Sequence, residues 1–390
     1  MPQQAYVWQR AWTPPVREAV AEARRDMAGL VVLGAEVSWS AAGSRTHLVS
    51  FDGTALAASG LPVGLALRVH GLRGAPGEGE ARVVRQLLGD ALERAARAGL
   101  RAGEVQVDLD CPASGLEAYR RWLVSLRPAA RGVRLIFTAL PSWLKRPSFL
   151  GLVSAADGYV LQVHGVAGAS ASGARLFSRE EARRAVDLAG ALGASFRLAL
   201  PTYGYRLAFE QGRLAGVAAE GAEVWPAELE ERRLMAPAAE VAALVRSLHQ
   251  GRPAALGGLL WYRLPVRGDA LNWTMSTLRA VQRGEAPRAR VQGEAVPLVE
   301  GEGGWTVVLR NEGDDAAFVQ GTVRVRWSAG RCLATDGLGG VEAARAGENR
   351  VDFRIPRGLP LPPGERRELG WLRVEGAAAV EVQVDDDATG

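Results

Sequence analysis

Lysine is almost missing from this chain. Lys145 is the only one, so the rest of the 47 basic residues are arginine. The arginines are scattered, no basic run interleaves with aromatics, and the net charge is only +4. A nucleic-acid surface needs clustered positive charge, so no nucleic-acid partner is expected. Cysteine is scarce too. Cys111 and Cys332 lie in different halves of the chain and have neither zinc-ligand spacing nor a disulfide framework. No apolar run approaches the roughly 18 residues a membrane helix needs, and no membrane span is expected. The opening MPQQAYVWQRAW lacks the apolar centre of a signal peptide. The expectation is a cytoplasmic protein, or a periplasmic, envelope-associated or secreted one if a leader has been removed. GxGxxG, Walker, HExxH and GxSxG motifs are also missing. Dinucleotide binding, zinc-protease chemistry and a serine nucleophile elbow therefore have no anchor, and neither cofactor nor metal is expected.

What is present is a repeating alternation. Short aliphatic runs at residues 5–12, 29–39, 62–71, 104–110, 133–140, 158–164, 196–201 and 258–264 read as eight strands. Helical patterns fall at 80–98, 114–126, 180–192, 238–249 and 270–283. Val83, Val84, Leu87, Leu88, Ala91 and Leu92 in the first of these have helical spacing. Ser114 with Glu117, and Ser178 with Glu181, have capping-box spacing. Strand followed by helix argues for a parallel sheet, and eight such units over residues 1–285 suit a (β/α)₈ TIM barrel. A doubly wound open sheet is the alternative, but it lacks its phosphate loop. From residue 286 to 390 the texture changes to period-two strands such as TVRVRW and AVEVQVD, separated by turn residues. This reads as a β-sandwich domain.

A TIM barrel carries its chemistry at the C-terminal ends of its strands. Those ends hold Glu36 and Trp39; Arg68 and His70; Asp108 and Asp110; Trp143; Gln162 and His164; Tyr203 and Tyr205; and Trp261 with Arg263. Residues i and i+2 of a strand share a face, so Asp108 and Asp110 repel each other. One should titrate high and be able to act as a general acid. Helix capping or an arginine partner is the ordinary alternative for such a pair. The aromatic side chains suit the flat faces of sugars, but also a plain core.

Several stretches resemble the chitinase family of glycoside hydrolases. VQVDLDCPASGLEAYRRWLVSLR is similar to the strand-four signature of that family, a DxDxE-type run followed by a helix. IFTALP, GYVLQVHG, LALPTYGYRLAF and GLLWYRLP are similar to its strands five to eight, in the same order. The chain as a whole also resembles a bacterial family of barrel proteins of unknown function. The chitinase resemblance implies a polysaccharide or oligosaccharide substrate and a sugar subsite floored by Trp261. It also places the family's catalytic glutamate at Pro112, which cannot act as an acid. Two readings stay open. Asp110 is the proton donor, with Asp108 tuning it and Glu36 as a second carboxylate. Or the barrel is an inactive glycan-binding or envelope scaffold protein. Trp39, Arg68, His70, Trp143, Gln162, His164, Tyr203, Tyr205, Trp261 and Arg263 serve as substrate-binding candidates in either case.

Overall fold

The computed structural model describes residues 1–72, 77–168, 173–218, 224–299, 303–376 and 379–385. The chain divides into two compact units, residues 1–273 with 281–285, and residues 274–280 with 286–390.

The first unit is a closed barrel of eight parallel strands. They are β1 (Gln3–Val7), β2 (Gly29–Ser40), β3 (Val63–His70), β4 (Glu104–Leu109), β5 (Arg134–Ala139), β6 (Tyr159–Gln162), β7 (Phe196–Pro201) and β8 (Leu256–Tyr262). Each pairs with the next, and β1 pairs with both β8 and β2, which closes the ring. β1 and β8 both end earlier than their hydrophobic runs suggested. Between the strands lie helices whose apolar stripe faces the barrel. Helix Glu78–Arg97 buries Ala81, Val84, Leu87, Leu88, Ala91, Leu92 and Ala95, an i, i+3, i+4 face. Ser178 caps helix Arg179–Ala191 by accepting from Glu181 N. Ser114 caps nothing, because a 3-10 turn, Ala113–Gly115, precedes helix Leu116–Leu126. The last helix is shorter than its pattern, Met275–Gln282.

The sequence pattern passed over several elements. Helices Pro14–Ala23, Gly53–Ser59 and Pro147–Ser154 complete the outer layer. Strand Gly43–Leu48 turns back antiparallel on β2. After β7 the chain builds a three-stranded antiparallel sheet from Gly204–Glu210, Arg213–Ala218 and Glu230–Met235. Where β3 ends, Gly71 sits at φ +77° beside β2, and a Cβ there would meet the Trp39 carbonyl oxygen at 2.3 Å. Only glycine combines that backbone with that approach.

The second unit holds two four-stranded antiparallel sheets. One runs Val291–Pro297, Gly304–Asn311, Arg366–Glu375, Arg331–Gly337; the other runs Glu342–Gly347, Arg350–Leu361, Ala317–Trp327, Val380–Val384. Alternate residues, among them Val307, Leu309, Val323, Val325, Phe353 and Leu372, form its core. The turn after Asn311 is pinned by that buried amide. It donates to Asp315 O and Leu361 O, and accepts from Arg290 N and Gly313 N. Trp327 belongs to the core, and Trp305 packs against it. Among the described residues no helix is long and apolar enough to cross a membrane.

Candidate active site

The interior of the barrel follows from strand parity. Val31 and Leu33, Ala66, Ile136, Val160, Ala199 and Leu260 point inward and pack with Tyr6 and Trp8. The same parity on β4 turns Glu104, Gln106, Asp108 and Asp110 to the inside. One strand therefore lines the barrel with polar groups from floor to mouth.

The lower part of this column is fully paired. Tyr6 donates to Gln106 Oε1 at 2.5 Å, Gln106 donates to Glu104 Oε1 at 2.7 Å, and Arg197 lies 2.8 Å from Glu104 Oε1. The upper part is not. Asp108 accepts from Thr138 Oγ1 at 2.9 Å, and its next charged neighbours are Asp110 and Arg68. Burial and the charge of Asp110 push the Asp108 carboxyl up to about 6, against the weaker pull of Thr138 and Arg68. Partial desolvation at the barrel mouth also raises Asp110, and Arg68 opposes it. β4 ends at Leu109, so Asp110 is the last inward position and stands exposed at the mouth. Pro112 has left the strand and precedes the 3-10 turn.

Register places the other candidates. Glu36 lies opposite Arg68, and Arg68 opposite Asp108. With Thr138 they form one row across four neighbouring strands. Glu36 also takes Nε and Nη2 of Arg10 at 2.9 and 2.7 Å, so its charge is already engaged. His70 shares the face of Arg68 but is exposed beyond it, and burial followed by Arg68 lowers its pKa. Trp39 is half-buried on the opposite face of β2 from Glu36.

A second group stands on the β6–β8 side. His164 Nδ1 meets Tyr203 Oη at 3.3 Å, and Tyr203 meets Tyr205 Oη at 3.0 Å. The His164 ring stacks on Tyr262, centroids 5.4 Å apart. Burial drives the imidazole down to about 3, so it is neutral at physiological pH. Gln162 donates from Nε2 to the His164 carbonyl. Trp8 joins the two groups: Tyr262 lies 5.1 Å from its ring, and the Arg68 guanidinium 6.0 Å from its centroid. Trp8 Nε1 and His164 Nε2 are buried, with no hydrogen-bond partner among the described residues.

Three expected binding residues lie elsewhere. Trp261 is 0% exposed and points out of the barrel, its Nε1 donating to Gln3 Oε1. Leu260 and Tyr262 are the inward neighbours, so Tyr262 holds the place at the mouth that the resemblance gave to Trp261. Trp143 is 1% exposed, packs on Tyr119, and donates to the Cys111 carbonyl. Arg263 is buried and pairs with Asp269 at 2.8 Å. Conversely, Trp8, Thr138 and Tyr262 border the candidate site, with Tyr6 and Gln106 beneath it, and none of the five was among the expected binding residues. Counting every second residue back from Asp108 would have found Gln106. No group of three His, Cys, Asp or Glu close enough to hold a metal ion occurs among the described residues.

A closed barrel with acidic groups on the tip of β4 defines the class, a (β/α)₈ barrel of the chitinase-like fold. Its likeness to solved structures is in fold at low identity. A chitinase from Chromobacterium violaceum matches at TM-score 0.51 and 15% identity, covering 74% of this chain and 99% of that one. The spore cortex-lytic enzyme SleL of Bacillus cereus matches at TM-score 0.52 and 11% identity, over 73% and 74%. A chitinase from Bacteroides thetaiotaomicron matches at TM-score 0.50 and 12% identity, over 73% and 96%. No curated protein matches. The family model described as "Domain of unknown function (DUF3142)" matches residues 59–267, more than half of the chain, and the protein belongs to that family. A second, "Domain of unknown function (DUF8456)", matches residues 295–375 in the β-sandwich unit.

Proposed function

We propose that the barrel is a glycoside hydrolase acting on a polysaccharide or oligosaccharide, with the Asp108–Asp110 pair as its acid/base machinery. The observation that carries this reading is the pair itself. Two carboxyl groups on one face of a strand end retain a proton well above the ordinary carboxylate range. Such a pair titrates as a unit. Asp110 is the exposed member and the one within reach of a glycosidic oxygen, so it delivers the proton. Asp108, held by Thr138, tunes it.

The surroundings support a sugar ligand. Tyr205 and Tyr262 offer partly exposed aromatic rings, and the unpartnered Trp8 Nε1 and His164 Nε2 would each gain a hydrogen bond from a hydroxyl. Glu36, engaged by Arg10, is better suited to orienting the substrate than to nucleophilic attack. The chitinase and cortex-lytic names of the fold neighbours point to the same substrate class. The other reading, an inactive glycan-binding barrel, draws on the absence of a glutamate at Pro112.

A binding and turnover screen of the purified chain on a polysaccharide panel separates the two, with Asp108→Asn/Asp110→Asn alongside. Turnover by the parent and none by the double variant is expected. Binding by both without turnover would establish the binding protein instead.

A further inference from the structure

Beside the barrel mouth lies a cavity of about 500 Å³ whose wall includes Arg10, Arg206, Arg233, Arg263 and Arg267, with Asp269 as the one acidic residue in its lining. Five guanidinium groups around one hollow is a marked concentration in a protein whose arginines are otherwise dispersed. The cavity borders the candidate site directly. Arg10 is the residue that holds Glu36, and Arg263 follows Tyr262 in the chain.

Several of these arginines are oriented by carboxylates outside the cavity lining. Glu36 holds Arg10, Glu231 holds Arg206, and Glu18 holds Arg267. Of these three, Arg267 gives a single Nη2 to Glu18, which leaves guanidinium donors for a second anion. Arg233 projects from the same strand as Glu231 and makes no side-chain hydrogen bond or ion pair among the described residues. Planar guanidinium groups bind carboxylate and phosphate oxygens bidentately. Arg263 is paired with Asp269, and the remaining lining is positive, so the concave wall focuses a predominantly positive field on the hollow.

The geometry points to this cavity as an acidic subsite, which takes a carboxylate-bearing sugar of the glycan whose neighbouring residue lies over Asp108 and Asp110. The substrate class is then an acidic polysaccharide, such as one containing uronic acid units. This assignment rests on the carbohydrate reading above, and the test keeps the two apart.

The test is calorimetric titration of the full chain with three probes: an oligogalacturonate, a neutral N-acetylglucosamine oligomer of equal length, and inorganic phosphate. The parent is expected to bind the acidic oligomer at least about tenfold more tightly than the neutral one, with the preference shrinking as salt rises. Arg233→Ala/Arg267→Ala should abolish the preference and leave neutral binding unchanged. Arg233→Lys/Arg267→Lys, equally exposed, should keep part of it. Equal binding of both oligomers, unaffected by either variant, overturns the acidic subsite while the carbohydrate reading stands. Phosphate binding without either oligomer overturns both, as does no binding at all.

Discussion

The floor and the mouth of the barrel are built from the same strand and solve the same problem in opposite ways. At the floor, Glu104 is buried among Arg197, Arg134 and Gln106. At the mouth, four and six residues further along, Asp108 and Asp110 have a threonine, one arginine and each other. Burying a charge with its partners secures a fold; burying one beside a like charge keeps a proton available. The contrast separates a carboxylate whose charge is matched from a pair whose charge is not.

The sharpest way to break this contrast is at the mouth. Asp108→Asn/Asp110→Asn should lower turnover on an identified substrate by about a thousandfold or more, with binding retained, as read by steady-state kinetics beside calorimetry. Parent turnover should itself fall as pH rises through about 6, because the acid form of the pair is then lost. A rate that is flat from pH 5 to 8 would remove the pair from the mechanism. Next in size, Glu104→Gln at the floor leaves the side chain of Arg197 short of its charge partner. It should cost about 3 kcal/mol in denaturant unfolding and leave the pH profile of activity unmoved.

The third prediction has the opposite sign. The Asp108 carboxyl rises in the fold from 3.8 to about 6, so its ionisation is easier in the unfolded chain. Its favourable contribution is present below pH 4 and is lost as pH rises through 6. Asp108→Asn, whose amide oxygen can still accept from Thr138, should therefore stabilise the protein at pH 8 by up to about 2 kcal/mol, with the gain vanishing near pH 4. Equal melting temperatures for variant and parent at pH 8 would mean that the mouth is as well compensated as the floor. The smallest effect belongs to Arg10→Ala. Arg10 is half-exposed, and removing its pair with Glu36 should cost less than about 1 kcal/mol.

Much of this molecule is legible in its sequence. Helical spacing around Leu87 and Leu88 marks a helix against the barrel, and the alternation in VQVDLD marks an inward acidic edge. Parity fails where both faces of a strand are apolar. In GLLWY nothing local says which of Trp261 and Tyr262 looks inward, since parallel barrel strands are buried on both sides. The ring of Trp8 was hidden for another reason. It lies just past the end of β1, within a run that reads as continuous strand. The sheet after β7 was passed over because Arg213–Ala218 and Glu230–Met235 are exposed edge strands with little apolar alternation.

Every barrel strand runs from floor to mouth, and Gln3 opens the first of them, with Leu259 N bonded to Pro2 O beneath. A fluorophore, affinity tag or solid support attached at the floor beside Pro2 therefore sits on the face of the barrel opposite Asp110. A sample immobilised in that way presents its open end to the solution, and a surface-bound assay of large, slowly diffusing polymers can be run without the attachment standing in their path.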